Sequence, residues 1–258
     1  MRFLVIGDTH GDFAWMQSKV IKRAKRDQAE AVVQVGDFGF IWSCDDDEVT
    51  RRLDNLNRHF AEAGLPLYWL DGNHENFETM ERFGAKPDAP EMVQLRSHIT
   101  YLPRGVVWEW GGVRFMALGG AHSVDVSHRV PFISWWPEER ITYADVDRAL
   151  DSAPDGVDVM LTHDSPHYEE LNKFLTSFNL PLKMEEQSRA NRRALDGVVD
   201  ALKPKLLVHG HYHHRLSGQR DGTTIVGLNH SKHGAEAQMI LDTETLDEQI
   251  AELRNSKS

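Results

Sequence analysis

Three strongly apolar runs in the first third of the chain each lead into a glycine and a polar residue able to bind metal. Phe3-Leu4-Val5-Ile6 precedes Gly7-Asp8, Val32-Val33-Gln34-Val35 precedes Gly36-Asp37, and Leu67-Tyr68-Trp69-Leu70 precedes Asp71-Gly72-Asn73. Short runs with little polar alternation suit strands buried on both faces. Between them, Trp15, Val20 and Ala24 recur at roughly helical spacing, and Val49, Leu53, Leu56 and Phe60 mark one face of a second helix. A β-α-β-α-β order predicts a largely parallel sheet with crossover helices. Ligands of such sheets bind beyond the carboxyl ends of the strands, where Asp8, Asp37 and Asn73 fall.

The rest of the chain predicts a second sheet. Val106 to Trp110, Gly111-Gly112 and Val113 to Leu118 read as a β-hairpin. Residues 119–140 form a long loop carrying Trp135-Trp136. Thr142 with Asp145 resembles a capping box opening a helix through Leu150. Val157–Leu161 and Lys205–Val208 read as strands, and Ala190, Ala194, Val198 and Leu202 as a helical face between them. Short strands follow near 216–219, 223–226 and 237–241. With no linker, repeat or low-complexity tract, the expectation is an α/β chain of one domain, residues 1–258, with two packed sheets and helices outside.

Composition narrows the partners. Asp and Glu number 40 against 29 Lys and Arg, a formal net charge of −11. That argues against stable binding to nucleic acid or an anionic membrane, which need a basic face. A small phosphate ester stays open, because bound cations reverse the local sign. No apolar stretch approaches membrane-spanning length. The lone Cys44 forms no internal disulfide, and the run after Met1 is too short for a signal-peptide core, so the expected compartment is the cytoplasm. The acids Asp45-Asp46-Asp47-Glu48 favour the start of the helix containing Val49.

Five segments carry the candidate chemistry: Asp8-Thr9-His10, Gly36-Asp37, Gly72-Asn73-His74, Thr162-His163 and Gly210-His211-Tyr212-His213. Taken singly, each has an ordinary reading as a turn or a structural histidine. Together they offer two Asp, one Asn and four His besides His74, enough for two ions about 3.5–4 Å apart. Asp8 and His10, like His211 and His213, are two residues apart and point the same way in extended backbone. Asp37 has two oxygens and can bridge two cations. Asn73 offers a hard, neutral oxygen, and the adjacent His74 suits a general acid. His209 is expected in the core and His214 in solvent. His59, His98, His122, His128, His167, His230 and His233 are expected outside the site, with His122 and His128 in a loop able to overhang it.

In this order, across residues 7–213, the segments resemble the calcineurin-like metallophosphoesterase superfamily, whose pattern runs D-x-H, G-D, G-N-H-[DE], a lone His and G-H-x-H. The resemblance implies a four-layer αββα sandwich of two mixed β-sheets flanked by helices. It implies one metal on Asp8, His10, Asp37 and His213 and a second on Asp37, Asn73, His163 and His211. It also implies in-line attack by a metal-bridging hydroxide, with His74 protonating the leaving oxygen. Mn²⁺ and Fe are the metals it implies, with Mg²⁺ or Zn²⁺ as alternatives. Gly36-Asp37-Phe38-Gly39-Phe40 lacks the Asp and Arg that follow this motif in the Ser/Thr protein phosphatases. Leu161-Thr162-His163-Asp164-Ser165-Pro166 and Gly210-His211-Tyr212-His213 are similar to small bacterial and phage phosphodiesterases. The expected substrate is therefore a small phosphodiester such as a cyclic nucleotide. Phosphomonoesterase or protein phosphatase activity comes second, ahead of a nuclease or a non-catalytic scaffold. Which of Arg104, Arg129 and Arg140 touches phosphate is left open.

Overall fold

The computed structural model describes residues 1–178 and 182–255. Two six-stranded mixed sheets lie at its centre. The first contains β1 (Arg2–Ile6), β2 (Ala31–Val35), β3 (Leu67–Leu70), β4 (Val93–Arg96), β5 (Ile99–Tyr101) and, from the far end of the chain, Gln238–Asp242. The second contains β6 (Val107–Trp110), β7 (Val113–Leu118), β8 (Val159–Thr162), β9 (Leu206–His209), β10 (Leu216–Arg220) and β11 (Thr223–Gly227). Gln238–Asp242 is β12, and the first sheet runs β12-β1-β2-β3-β5-β4. The second runs β10-β11-β9-β8-β7-β6. In each, four parallel strands are closed at both edges by an antiparallel one.

Strand alternation divides the core into three layers. From β1, Phe3 and Val5 join Val33, Phe115, Leu161 and Val208 between the sheets. Leu4 and Ile6 point the other way, to Met16, Val20, Leu53 and Phe60 on the outer helices. Outside the second sheet, Met116, Met160 and Leu207 pack on Ala149, Leu195 and Val198. With both faces covered, β1, β2, β8 and β9 are buried almost throughout, which is why they read as continuous apolar runs.

Helix chemistry follows the sequence closely. The first helical stretch runs from α1 (Phe13–Trp15) through a π turn (Met16–Val20) into α2 (Ile21–Arg26). The next, α3 (Asp46–Ala63), begins three residues before Val49 because the Asp45 carboxylate caps it, accepting from the Asp47 and Glu48 N–H groups. Val49, Leu53, Leu56 and Phe60 are its buried face, and Gly64 ends it in the left-handed region. After α4 (Phe77–Arg82), α5 (Tyr143–Ser152) opens on the expected Thr142–Asp145 capping box. Next come α6 (Glu169–Thr176), α7 (Leu182–Leu202) and α8 (Leu246–Asn255). One helical face shifts from expectation: α7 buries Asn191, Leu195, Val198, Val199 and Leu202, while Ala190 is exposed. The strand expected at Val157–Leu161 is Val159–Thr162, so His163 follows it directly. No helix of the described residues is long and apolar enough to cross a membrane.

Candidate metal centre

All five segments meet at one edge of the sandwich. Asp8, Asp37 and the pair Asn73-His74 follow β1, β2 and β3 of the first sheet. His163, and His211 with His213, follow β8 and β9 of the second. The adjacent strand ends converge because the parallel strands within each sheet end on the same side. The turns are strained. Of eight non-glycine residues with positive φ among those described, four are His10, Asp37, His211 and His213. Non-glycine residues enter this region rarely and tend to do so where surrounding structure over-determines them, often at functional sites.

The donor atoms form two adjoining groups. In the first, ligand atoms of Asp8, His10, Asp37 and His213 all lie within 4.8 Å of one another. His213 Nε2 is 3.1 Å from His10 Nε2 and 3.0 Å from Asp8 Oδ2. His10 Nε2 lies 3.9 Å from Asp37 Oδ2. In the second, His163 Nε2 is 3.2 Å from Asp37 Oδ1 and 3.1 Å from Asn73 Oδ1. The His211 ring packs edge-on to His163, 5.1 Å between centroids. Asp37 thus turns one oxygen to each group.

This donor set fits divalent cations. His163 Nδ1 contacts the Val35 carbonyl at 2.9 Å, an arrangement that uses its N–H and aims the Nε2 lone pair at the oxygens of Asp37 and Asn73. Asn73 donates its amide N–H to Ser123 Oγ at 3.0 Å, which turns its oxygen inward. Ser123 is held in turn by Glu139, through its N–H at 2.8 Å and its hydroxyl at 2.6 Å. Asp8 Oδ2 is buried and faces the ring nitrogens of His213, at 3.0 Å, and His10, at 4.0 Å. Acceptors facing acceptors in a buried space are costly unless a cation lies among them. Without a cation a proton takes its place: burial alone would lower the His163 pKa, yet the Asp37 charge and hydrogen bond raise it to about 10, and metal binding would displace that proton from Nε2. Burial pushes the Asp37 carboxyl up, but the charges of His163 and His74 outweigh it and hold the group well below the usual carboxylate range. His211 is lowered to about 4, by burial first and by His163.

Close approach explains the glycines. At Gly72, a Cβ would overlap Asp37 Oδ1 and sit 2.8 Å from His163 Nε2. At Gly36, φ is +91° and a Cβ would strike the His163 ring. We expect Gly72→Ala to fold and yet lose metal affinity by about 10- to 100-fold, the scale of a disturbed ligand support. Metal titration of the purified variant checks this; wild-type affinity would contradict it.

His74 stands beside the first group. Its ring is 5.5 Å from that of His10, edge to face, and its backbone N–H donates to Asp37 Oδ1 at 2.8 Å. Several residues to which the sequence assigns no role support the site. Glu75 accepts from the Phe38 N–H at 2.6 Å and fastens the Asp37 turn. Asp164 accepts from Tyr212 and, at 2.7 Å, from Asn191, bracing the turns that carry His163 and His211. His230, expected outside the site, lies 4.6 Å from the His213 ring. His122 is buried near Glu139 and His209 is core, as expected. The exposed His214 stacks on Phe174. Arg104 is buried in ion pairs with Asp71 and Asp145, whereas Arg129 reaches the His74 ring. Arg129 is one of the three arginines left open from sequence; its partner lies 55 residues away, so no local pattern could single it out.

Two sheets that deliver buried carboxylates, an amide oxygen and imidazoles to a shared edge define a metallophosphoesterase. A family model for calcineurin-like phosphoesterases matches residues 1–215. The chain belongs to that family. No curated protein matches it in sequence. Among solved structures, it is similar to a dimetal phosphatase from Danio rerio, with 15% identity and a TM-score of 0.54, covering 90% of this chain and 88% of that one. It is similar to a putative 5'-nucleotidase from Staphylococcus aureus, with 13% identity and a TM-score of 0.51 over 94% of this chain and 51% of that one. It is also similar to GAP50 of Plasmodium, described as the anchor in the inner membrane complex, with 10% identity and a TM-score of 0.50 over 88% and 70%. At these identities the likeness is one of fold.

Proposed function

We propose that this chain, acting as one domain, hydrolyses phosphodiester bonds of a small nucleotide, such as a cyclic nucleotide, with two divalent metal ions. The observation that carries the reading is the position of Asp37, with one carboxylate oxygen turned to each group of donors. Asp8, His10, Asp37 and His213 would hold one ion, and Asp37, Asn73, His163 and His211 the other. Mn²⁺ or Fe is the favoured metal, with Mg²⁺ or Zn²⁺ as alternatives. When bound, the two ions activate water and offset the charge that builds on phosphorus.

The chain's own groups supply the rest. His74, beside the first donor group, is placed to protonate the leaving oxygen. Burial, first, and the Arg129 charge hold its imidazole below the ordinary histidine value, with Asp37 opposing them. A phosphate anion next to the ring favours its protonated form and works against that shift. The acidic chain suits a small substrate better than a nucleic acid. Its single cysteine, free and exposed, is compatible with a reducing cytoplasm. The diester preference is supported by the segments around His163 and His211. Monoester hydrolysis is the second reading, favoured by the fold likeness to the dimetal phosphatase.

Two comparisons test this. Loaded with Mn²⁺, the protein is expected to cleave a model diester or a cyclic nucleotide faster than the matching monoester; the reverse ranking would overturn the diester assignment. His74→Ala should slow hydrolysis of an ester with a poor leaving group by about 10²- to 10⁴-fold, the range of general acid catalysis. An activated aryl ester, whose leaving group needs little protonation, should lose far less. Equal rates for variant and wild type on the poor leaving group would remove the general-acid role.

A further inference from the structure

We propose that Arg129, delivered by the segment between β7 and α5, is the side chain that binds a non-bridging phosphate oxygen of the substrate, and that Asp125 holds it in place for that task. The inference rests on the phosphoesterase reading and adds a substrate-binding residue to it.

Arg129 has five N–H donors in a fixed plane and no acceptor. Its Nε and Nη2 both donate to Asp125 Oδ2, at 2.9 and 2.8 Å, and its Nη1 donates to the Ser134 carbonyl at 3.1 Å. These contacts use three hydrogens. The second hydrogen of Nη2 faces the His74 ring, whose nitrogens lie 2.9 and 3.1 Å from Nη2. The second hydrogen of Nη1 has no acceptor among the described residues. One Nη1 hydrogen thus remains available to a phosphate oxygen, and the Nη2 contact with the His74 ring is one that a second phosphate oxygen can displace.

Burial and local structure agree. The Arg129 side chain is 11% exposed, while that of Asp125 is 48% exposed. The charged end is therefore held inward by a carboxylate that itself reaches water, a lower cost than a fully buried pair. A short 3₁₀ turn, Val126–His128, sets Asp125 and Arg129 four residues apart, and Ser134 Oγ accepts from the Val130 N–H to close the following loop. The same segment supplies Ser123, which turns the Asn73 oxygen inward. One loop thus supports a candidate ligand through Ser123 and carries Arg129 against His74. In a chain of net charge −11, a fixed guanidinium at the site also gives an anionic substrate a local attraction.

The test uses the full chain loaded with Mn²⁺. Steady-state hydrolysis of a model diester is measured together with binding of inorganic phosphate by calorimetry and metal content per chain. Arg129→Ala is expected to retain metal, weaken phosphate binding by about 10- to 100-fold, and lower kcat/KM at least as much, the scale of one or two charge-assisted hydrogen bonds. Arg129→Lys should recover part of the binding, because it keeps the charge without the planar fork. Asp125→Asn should give a smaller loss than Arg129→Ala. The double variant His74→Ala, Arg129→Ala separates direct contact from positioning: phosphate binding should fall below that of His74→Ala alone. If the double variant binds phosphate as His74→Ala does, Arg129 acts only by holding His74 and the proposal is wrong. Wild-type phosphate affinity in metal-loaded Arg129→Ala would overturn it as well. Should the wild type hydrolyse no ester, the hydrolase reading falls, and the phosphate titration still decides the role of Arg129.

Discussion

Asp37→Asn is expected to lower kcat/KM on a model diester by on the order of 1,000-fold or more, about 4 kcal/mol of transition-state stabilisation. Asp37 is 1% exposed and addresses both donor groups: Oδ1 lies 3.2 Å from His163 Nε2 and Oδ2 3.9 Å from His10 Nε2. Asparagine keeps the shape but removes the negative charge that would otherwise balance two dications. Its amide N–H₂ also turns donors toward one group that needs an acceptor. The expected loss is therefore of one ion and of the geometry shared by both. Metal analysis should show fewer than two ions per chain, with the folded state retained. Full activity, with two ions still bound, would disprove a bridging role for Asp37.

The second large effect concerns folding. Asp71→Asn should destabilise the chain by about 3–5 kcal/mol, the cost of breaking a buried ion pair from one side. Asp71 is fully buried and accepts from Arg104 Nε at 2.9 Å and Nη2 at 2.6 Å, and from the Tyr101 hydroxyl at 2.7 Å. The guanidinium also ties Asp145 and the carbonyls of Glu138 and Arg140 to this point. Four parts of the chain thus meet two residues before Asn73. Remove the Asp71 charge and Arg104 keeps its own in a dry setting. At about 2–4 °C per kcal/mol for a chain near this size, thermal unfolding should move down by about 10 °C. Removing both charges, in Asp71→Asn with Arg104→Met, should cost less than the sum of the single changes. A shift within about 0.5 kcal/mol of zero for Asp71→Asn would show that the pair is not a structural anchor.

The sequence revealed most where a physical constraint was local. Strands buried on both faces cannot alternate, so β1, β2 and β3 stood out, and the residues after them were already the candidate site. The Thr142–Asp145 capping box was legible for the same reason: both halves lie within one turn. Less was visible in the sheet edges. β4 and β5 carry mixed polarity and are joined by only two residues, so residues 92–118 yielded only the later hairpin. The short α4 and α6 lack a long periodic face. Spacing from Ala194 places Ala190 on the helical face of α7, but the packed stripe instead includes Asn191, whose amide serves Asp164 and the Ile141 N–H. Polar residues with buried work are invisible to hydrophobic periodicity. Arg129 and Ser123 illustrate the same limit, since each acts on a residue at least 50 positions away.

The most direct measurement of the central claim is titration of chelator-stripped wild-type protein with Mn²⁺, following bound metal and diester hydrolysis together. Two equivalents are expected to bind, with hydrolysis absent from the stripped protein and full activity reached only as the second equivalent fills. Undiminished hydrolysis by the stripped protein, or full activity at a single saturating equivalent, would contradict a two-metal phosphoesterase.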